Sequence, residues 1–296
     1  MAITAAQVKE LRQKTGVGMM ECKNALTENE GDLEKAIVWL RERGLSRAAK
    51  KADRVTAEGL VKVAVAENGK AGALVELNCE TDFVSKNDDF LKFADDVSAL
   101  ALAHKVSDLE TLKGLDLGGQ TVAETLTHLI ARIGENLNLR RVQYLEVPNG
   151  VVAGYSHMGG KIGSLIAVEG EGESLVDLGK DIAMHIAAAA PRYLDSTSVN
   201  ADELEQEKEI ARKKLIEENK PEQMIEKILV GQVQKFYKEV CLVDQPFVKD
   251  PNTSIQKLVE TTAKGSKISA FARFQLGEGI EKKQENFADE VAAQLK

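Results

Sequence analysis

The sequence predicts an α+β fold. It comprises a three-helix module at the start, a duplicated core built on antiparallel sheets, and a helical hairpin inserted in the second half. Three observations carry that expectation. Gly69-Lys70-Ala71-Gly72-Ala73-Leu74-Val75-Glu76-Leu77 matches Gly160-Lys161-Ile162-Gly163-Ser164-Leu165-Ile166-Ala167-Val168 at an offset of 91 residues, an internal repeat. Residues 59–67 are β-branched and partly alternating and run into an Asn68-Gly69 turn, so the copy opens as a hairpin. Apolar residues recur at helical spacing over 3–44 and again over 201–239, outside the repeat. A sheet with one face for helices to cover is α+β, not a doubly wound parallel sheet.

In chain order, Thr4 with Gln7 three residues on reads as a capping box, and Ile3, Val8 and Leu11 give the first helix an apolar face. Thr15-Gly16-Val17-Gly18 breaks it, and Met19–Leu26 opens a second helix. Leu33, Ala36, Ile37 and Leu40 stripe a third, expected to end at Gly44. The pattern resembles the small three-helix fold of ubiquitin-associated domains. Residues 1–54 carry a net charge of +3 and the remainder −11, so the balance shifts near residue 54. There Arg47, Lys50, Lys51 and Arg54 form a basic stretch that reads first as a solvated linker.

Ala73–Leu77 is the return strand of the first hairpin, and a helix follows from about Asp89 to His104, with Leu91, Ala94, Val97, Leu100 and Ala101 on one face. In the second copy the helix matches at an offset of 85, Asp96-Val97 lying over Asp181-Ile182. The first copy therefore holds six more residues between strand and helix, in Cys79–Asp88. Most of the 13 aromatics lie in periodic segments, where core packing explains them; Phe83 sits in this polar connection beside Asp82. It is either folded back onto the core, the usual fate of Phe, or displayed.

Val122, Leu126, Leu129, Ile130 and Ile133 stripe a helix that Gly134 ends, and a strand is expected near Tyr144–Val147. Residues 201–239 form an αα-hairpin broken at Glu218–Glu222, readable as a structural arm or as a contact with another chain. A final strand, Lys267–Leu276, alternates Ile268, Ala270, Ala272, Phe274 and Leu276. The expected organisation is 1–54 as a docking module, 55–142 as the first core repeat, and 143–200 with 240–276 as the second. The hairpin 201–239 interrupts the second repeat, and a tail module covers 277–296.

Chemistry-bearing motifs are sparse. With 39 Lys and Arg against 47 Asp and Glu, the net charge of −8 argues against a nucleic-acid-gripping surface. His104, His128, His157 and His185 and the three cysteines, Cys22, Cys79 and Cys241, show no metal-ligand spacing. Gly16-Val17-Gly18 lacks a following Gly-Lys-Ser/Thr, Gly265-Ser266-Lys267 is not a Walker loop, and no Gly-x-Ser-x-Gly elbow occurs. An odd number of scattered cysteines fits a reducing, cytoplasmic setting. Without an 18-residue apolar run, no membrane span is expected, and the start shows neither a secretory signal nor an Arg/Ser-rich transit peptide. Partner binding is the better expectation than bond chemistry.

Thr15–Lys23, Asn78-Cys79-Glu80-Thr81-Asp82-Phe83-Val84, Ile133-Gly134-Glu135-Asn136 and Gln245-Pro246-Phe247-Val248 together resemble the translation elongation factor Ts family, in its long bacterial form, over essentially the whole chain. The resemblance implies a guanine-nucleotide exchange factor, not an enzyme of bond chemistry. Its partner would be elongation factor Tu, GDP-bound and nucleotide-free, with no direct nucleic acid and no membrane. In that family the loop here formed by Thr81, Asp82, Phe83 and Val84 disturbs the partner's magnesium and phosphate site; Phe83 would be the wedge and Asp82 would add polar contacts. Met19, Met20, Lys23, Ile133, Gly134 and, through the Tyr-x-His stretch Tyr155-Ser156-His157, His157 would be further contacts. The magnesium and nucleotide belong to the partner, so no cofactor is implied. Two other readings stand beside it. One is an adaptor of the ubiquitin-associated type, which leaves the duplicated core unexplained. The other is an enzyme using Asp82, His157 or His185.

Overall fold

The computed structural model describes residues 3–15 and 17–281. Of the expected tail module, 282–296 lie outside the described residues. The chain divides into two compact units, the first made of the described parts of Met1–Lys62, Val75–Gln143 and Gln275–Lys296, the second of Val63–Leu74 and Tyr144–Phe274.

The first unit opens with α1 (Ala5–Thr15), α2 (Met19–Glu28) and α3 (Leu33–Ala49). Thr4 and Gln7 do form a capping box, with Gln7 N donating to Thr4 Oγ1 at 3.3 Å and Thr4 N to Gln7 Oε1 at 3.0 Å. Val8, Leu11, Cys22, Ala25, Leu26 and Ala36 close a small core among the three helices. Asp32 caps α3, accepting from Lys35 N at 3.0 Å. The helix does not end at Gly44 as its sequence suggests; it runs on to Ala49. Gly44 is buried, and a Cβ there would sit 3.4 Å from Ala131 Cβ, so the glycine permits close packing instead of breaking the helix. A helical Gly costs only about 1 kcal/mol relative to Ala, which tertiary packing readily offsets.

Next come β1 (Glu58–Val65), β2 (Ala71–Cys79), α4 (Asp88–Ala103), α5 (Leu109–Gly114), α6 (Val122–Ile133) and β3 (Leu137–Glu146), with sheet order β1-β2-β3. The third strand starts seven residues earlier than the expected Tyr144, at Leu137. On α4 the buried face is Phe90, Phe93, Ala94, Val97, Ser98 and Ala101; Leu91 is exposed, because the two phenylalanines turn the stripe by one position. The end of α6 is as expected, with Gly134 in the left-handed region at φ 88°.

The second unit repeats the plan: β4 (Gly150–His157), β5 (Ile162–Glu169), α7 (Ser174–Ala189), the hairpin α8 (Ala201–Glu217) and α9 (Glu222–Val240), the two-stranded β6 (Pro246–Phe247) and β7 (Asp250–Ser254), α10 (Ile255–Thr262) and β8 (Lys267–Gln275). Its sheet order is β4-β5-β8. The strand after α10 joins the hairpin's second strand, as β3 does after α6, so the duplication covers hairpin, helix, helix and strand. Val151, Ile166, Val168, Leu178, Ile182, Ile186 and Leu242 lie in its core. Two glycines mark the register of the repeat. Gly59 (φ 127°) and Gly150 (φ 154°), 91 residues apart, each lie against the following strand; an added Cβ would stand 2.1 Å from Leu77 O or 2.0 Å from Val168 O. Leu215, Ile225 and Leu229 close a small core of their own between α8 and α9.

Candidate functional site

Residues 80–87 join β2 to α4, where the repeat carries its excess length. Phe83 lies in this connection and is 80% exposed. Of the two readings open from the sequence, the structure therefore shows display. With the ring this exposed, polar groups shape the loop. Thr81 N donates to Glu135 Oε2 at 3.0 Å and Thr81 Oγ1 to Glu135 Oε1 at 2.8 Å. The Cys79 thiol donates to Thr81 O at 3.0 Å, and Ser85 Oγ to Asp82 O at 2.7 Å. A short 3₁₀ turn, Val84–Lys86, follows, and Asn87 caps α4 by accepting from Asp89 N at 3.0 Å and Phe90 N at 3.3 Å.

Asp82 meets Lys86 at 3.0 Å, with both side chains more than half exposed. Such a surface pair holds little, on the order of 0–1 kcal/mol, so the carboxylate can exchange it for another partner. Val84, within the loop, is half-buried.

Met19 and Met20 begin α2 directly after Gly18 and are 48% and 67% exposed. Lys23 is exposed one turn on, four residues from Met19 and three from Met20, so the three share a face while Cys22, Ala25 and Leu26 point inward. Gly134 is exposed and Ile133 half-buried. All these residues belong to the first unit, together with the Thr81 loop.

His157 belongs to the second unit, exposed at the end of β4 with its Nδ1 3.1 Å from Tyr155 Oη and the two rings stacked. Beside it Met158 is 71% exposed at φ 50° in the β4–β5 turn.

Sequence reasoning missed the residues that hold the loop. Ile133-Gly134-Glu135-Asn136 stands out as a motif, and the family resemblance implies partner contacts at its first two residues. Its last two are the ones that reach the loop: Glu135 grips Thr81, and Asn136 N donates to Glu80. Gln245-Pro246-Phe247-Val248 is likewise structural. Buried Gln245 accepts from His185 Nε2 at 2.9 Å, and Val248 N donates to His185 Nδ1 at 3.3 Å. That pattern places the imidazole proton on Nε2. Burial lowers the His185 pKa against the opposing effect of Gln245. A fully buried imidazole with both nitrogens engaged has no open face for a substrate. A groove of about 760 Å³ in the second unit, lined in part by Val65–Lys70, Gly150–Gly154 and Gly170–Gly172, is lined by none of Asp82, His157 or His185. The three cysteines are buried and form no disulfide among the described residues, and burial pushes the Cys241 thiol up to about 11. No helix among the described residues is long and apolar enough to cross a membrane.

A family model described as Elongation factor TS matches residues 80–278. An elongation factor Ts of Magnetococcus marinus is 49% identical over 300 aligned positions, covering 99% of this chain and 98% of the relative. That of Syntrophotalea carbinolica is 51% identical with complete coverage of both, and one of Clostridium botulinum is 50% identical with 99% coverage of both.

Proposed function

The chain belongs to the elongation factor Ts family of translation elongation factors, and from that premise we propose that it binds elongation factor Tu and speeds GDP release by protein contact alone. The observation that carries this reading is Phe83, an aromatic ring displayed at 80% exposure on a loop held by polar anchors. In this reading Phe83 wedges between side chains near the partner's magnesium and phosphate site. Asp82 leaves Lys86 to make polar contacts there, and Thr81 and Val84 shape the turn between them. Met19, Met20 and Lys23 dock on the partner's nucleotide-binding domain, with Ile133, Gly134 and His157 as further contacts.

Magnitudes require a distributed grip. Burying one Phe contributes about 1.5–3 kcal/mol. Lowering nucleotide affinity about 10⁴-fold needs roughly 5.5 kcal/mol of preference for the nucleotide-free partner. Docking by 1–54 and contacts from the second repeat supply the remainder. Linkage makes the effect mutual: nucleotide binding to the partner weakens this chain's hold by the same factor, which ends each cycle in release. The test is release of labelled GDP from purified elongation factor Tu with and without the chain; an unchanged rate overturns the reading.

A further inference from the structure

Lys51 and Arg54, the basic residues of the linker after α3, have no task in the wedge reading, yet they reach both sides of the grip on Thr81. Lys51 Nζ donates to Gly134 O, one residue before Glu135. Arg54 pairs with Glu80, one residue before Thr81, at 3.4 Å, and Glu80 accepts from Asn136 N. Asn136 is buried, and its side-chain amide donates to Ala52 O at 3.3 Å and Arg54 O at 2.9 Å. Residues 51–54, 80–81 and 134–136 thus close into one hydrogen-bonded network inside the first unit.

Most of the loop's remaining bonds span four residues or fewer: Cys79 to Thr81, Thr81 to Val84, Asp82 to Ser85, Asp82 to Lys86. Local bonds shape a loop but cannot fix it against the body of the protein. The two bonds from Glu135 span 54 residues and can. A carboxylate only accepts, and here both oxygens are taken by the two donors of one residue, which fixes orientation as well as position. With its proton directed at Glu135, the Thr81 hydroxyl presents a lone pair to Val84 N, 3.5 Å away, where the turn behind Phe83 begins.

We propose that Glu135 is a positioning residue for the Thr81–Val84 loop and that the 51–54 linker braces it, so that the placement of the three-helix module and that of Phe83 are set together. This rests on the exchange-factor reading. The linker's basic residues are then internal ties between docking and action.

The experiment compares the full chain with Glu135→Ala, Glu135→Gln and a Lys51→Ala/Arg54→Ala pair. It follows fluorescent GDP release from elongation factor Tu over a range of chain concentrations, together with thermal melting and amide hydrogen exchange at Thr81 and Val84. Glu135→Ala should lower the saturating release rate about tenfold, leave the half-saturating concentration within about twofold, and speed exchange at the two amides with melting little changed. Glu135→Gln should recover part of the rate, because its amide oxygen still accepts one bond, and it carries the test if the alanine variant does not fold. The linker pair should reduce the same saturating rate by a smaller factor. A parental saturating rate in Glu135→Ala, a fall that only tracks lower melting, or a rise confined to the half-saturating concentration overturns the proposal. If the parent itself releases no GDP, the exchange reading fails and the brace with it. If the parent is active, Phe83→Ala is slow and Glu135→Ala is not, the brace alone fails.

Discussion

The two copies of the core repeat one pattern of buried positions and part company in the connection between second strand and helix. Buried positions of α4 and α7 coincide at an offset of 85: Phe90 with Leu175, Phe93 with Leu178, Val97 with Ile182, Ala101 with Ile186. In the strands Leu74, Val75 and Leu77 coincide with Leu165, Ile166 and Val168 at 91. Between strand and helix, the first copy has the polar loop with Phe83 and the Asn87 cap. The second has Gly170-Glu171-Gly172-Glu173, two of whose residues are glycines at φ 145° and 124°, and its helix has no side-chain cap. A duplicated core is constrained by packing at every buried position, whereas a surface connection tolerates added length. The candidate function sits where the copies were free to diverge.

The strongest test of this comparison lies in what the copies share. Gly59→Ala and Gly150→Ala should each destabilise by more than about 4 kcal/mol, since both combine positive φ with a Cβ driven into a strand carbonyl. Denaturant melts showing one variant tolerated and the other not would break the structural equivalence.

A second test uses a position where the interiors differ. β2 buries Glu76 where β5 has Ala167. Glu76 accepts from Arg140 Nη1 at 3.0 Å, Arg141 Nε at 2.5 Å and Gly277 N at 2.9 Å. Burial raises its pKa, but the Gly277 amide and the two guanidiniums outweigh it, and the net shift is downward. A depressed carboxylate stabilises fully above its unfolded pKa and loses that contribution as pH falls through the folded one. Glu76→Gln should therefore cost about 3 kcal/mol at neutral pH, the lower end for breaking a buried pair, because both arginines are partly solvated. Its stability should also fall less steeply than the parent's below the ordinary glutamate pKa; parallel acid limbs in a pH series of melts would contradict the assignment.

Smaller effects are expected at the divergent connection. Asn87→Ala removes a cap that α7 lacks and should cost about 1 kcal/mol by denaturant titration. Phe83→Ala should shift stability by less than about 0.5 kcal/mol, against the 3–5 kcal/mol of a core Phe, while slowing GDP release. A large melting shift would mean that the ring packs in solution, and an unshifted melt with the parental release rate would leave the loop displayed but without function.

Much of this was legible in the residues. The Asn68-Gly69 turn, the Thr4–Gln7 box and the Gly134 stop are short-range patterns, the 91- and 85-residue offsets are a recurrence visible along the string, and the structure has each of them. The misreadings came where packing overrode a local signal, as at Gly44 inside α3 and at Leu91, displaced from the buried face by Phe90 and Phe93. The candidate site was half legible. The six-residue excess and its lone Phe mark the loop, but nothing linear in the motif at 133–136 shows that Glu135 and Asn136 reach it.

What the sequence determined by itself was the periodic and the local: helices, hairpins, their duplication, and a loop too long and too polar for the core. Backbone propensity, alternation and turn chemistry act over a few residues and leave their mark in a linear string. What only the tertiary structure decided were the polar ties between distant segments: Glu135 to Thr81, Lys51 to Gly134, His185 to Gln245, and Glu76 to Arg140, Arg141 and Gly277. Each joins groups 54 to 201 residues apart along the chain, with no periodicity to announce it. A hydrogen bond depends on the distance and direction between two groups in space, and those exist only once the hydrophobic core has brought the segments together.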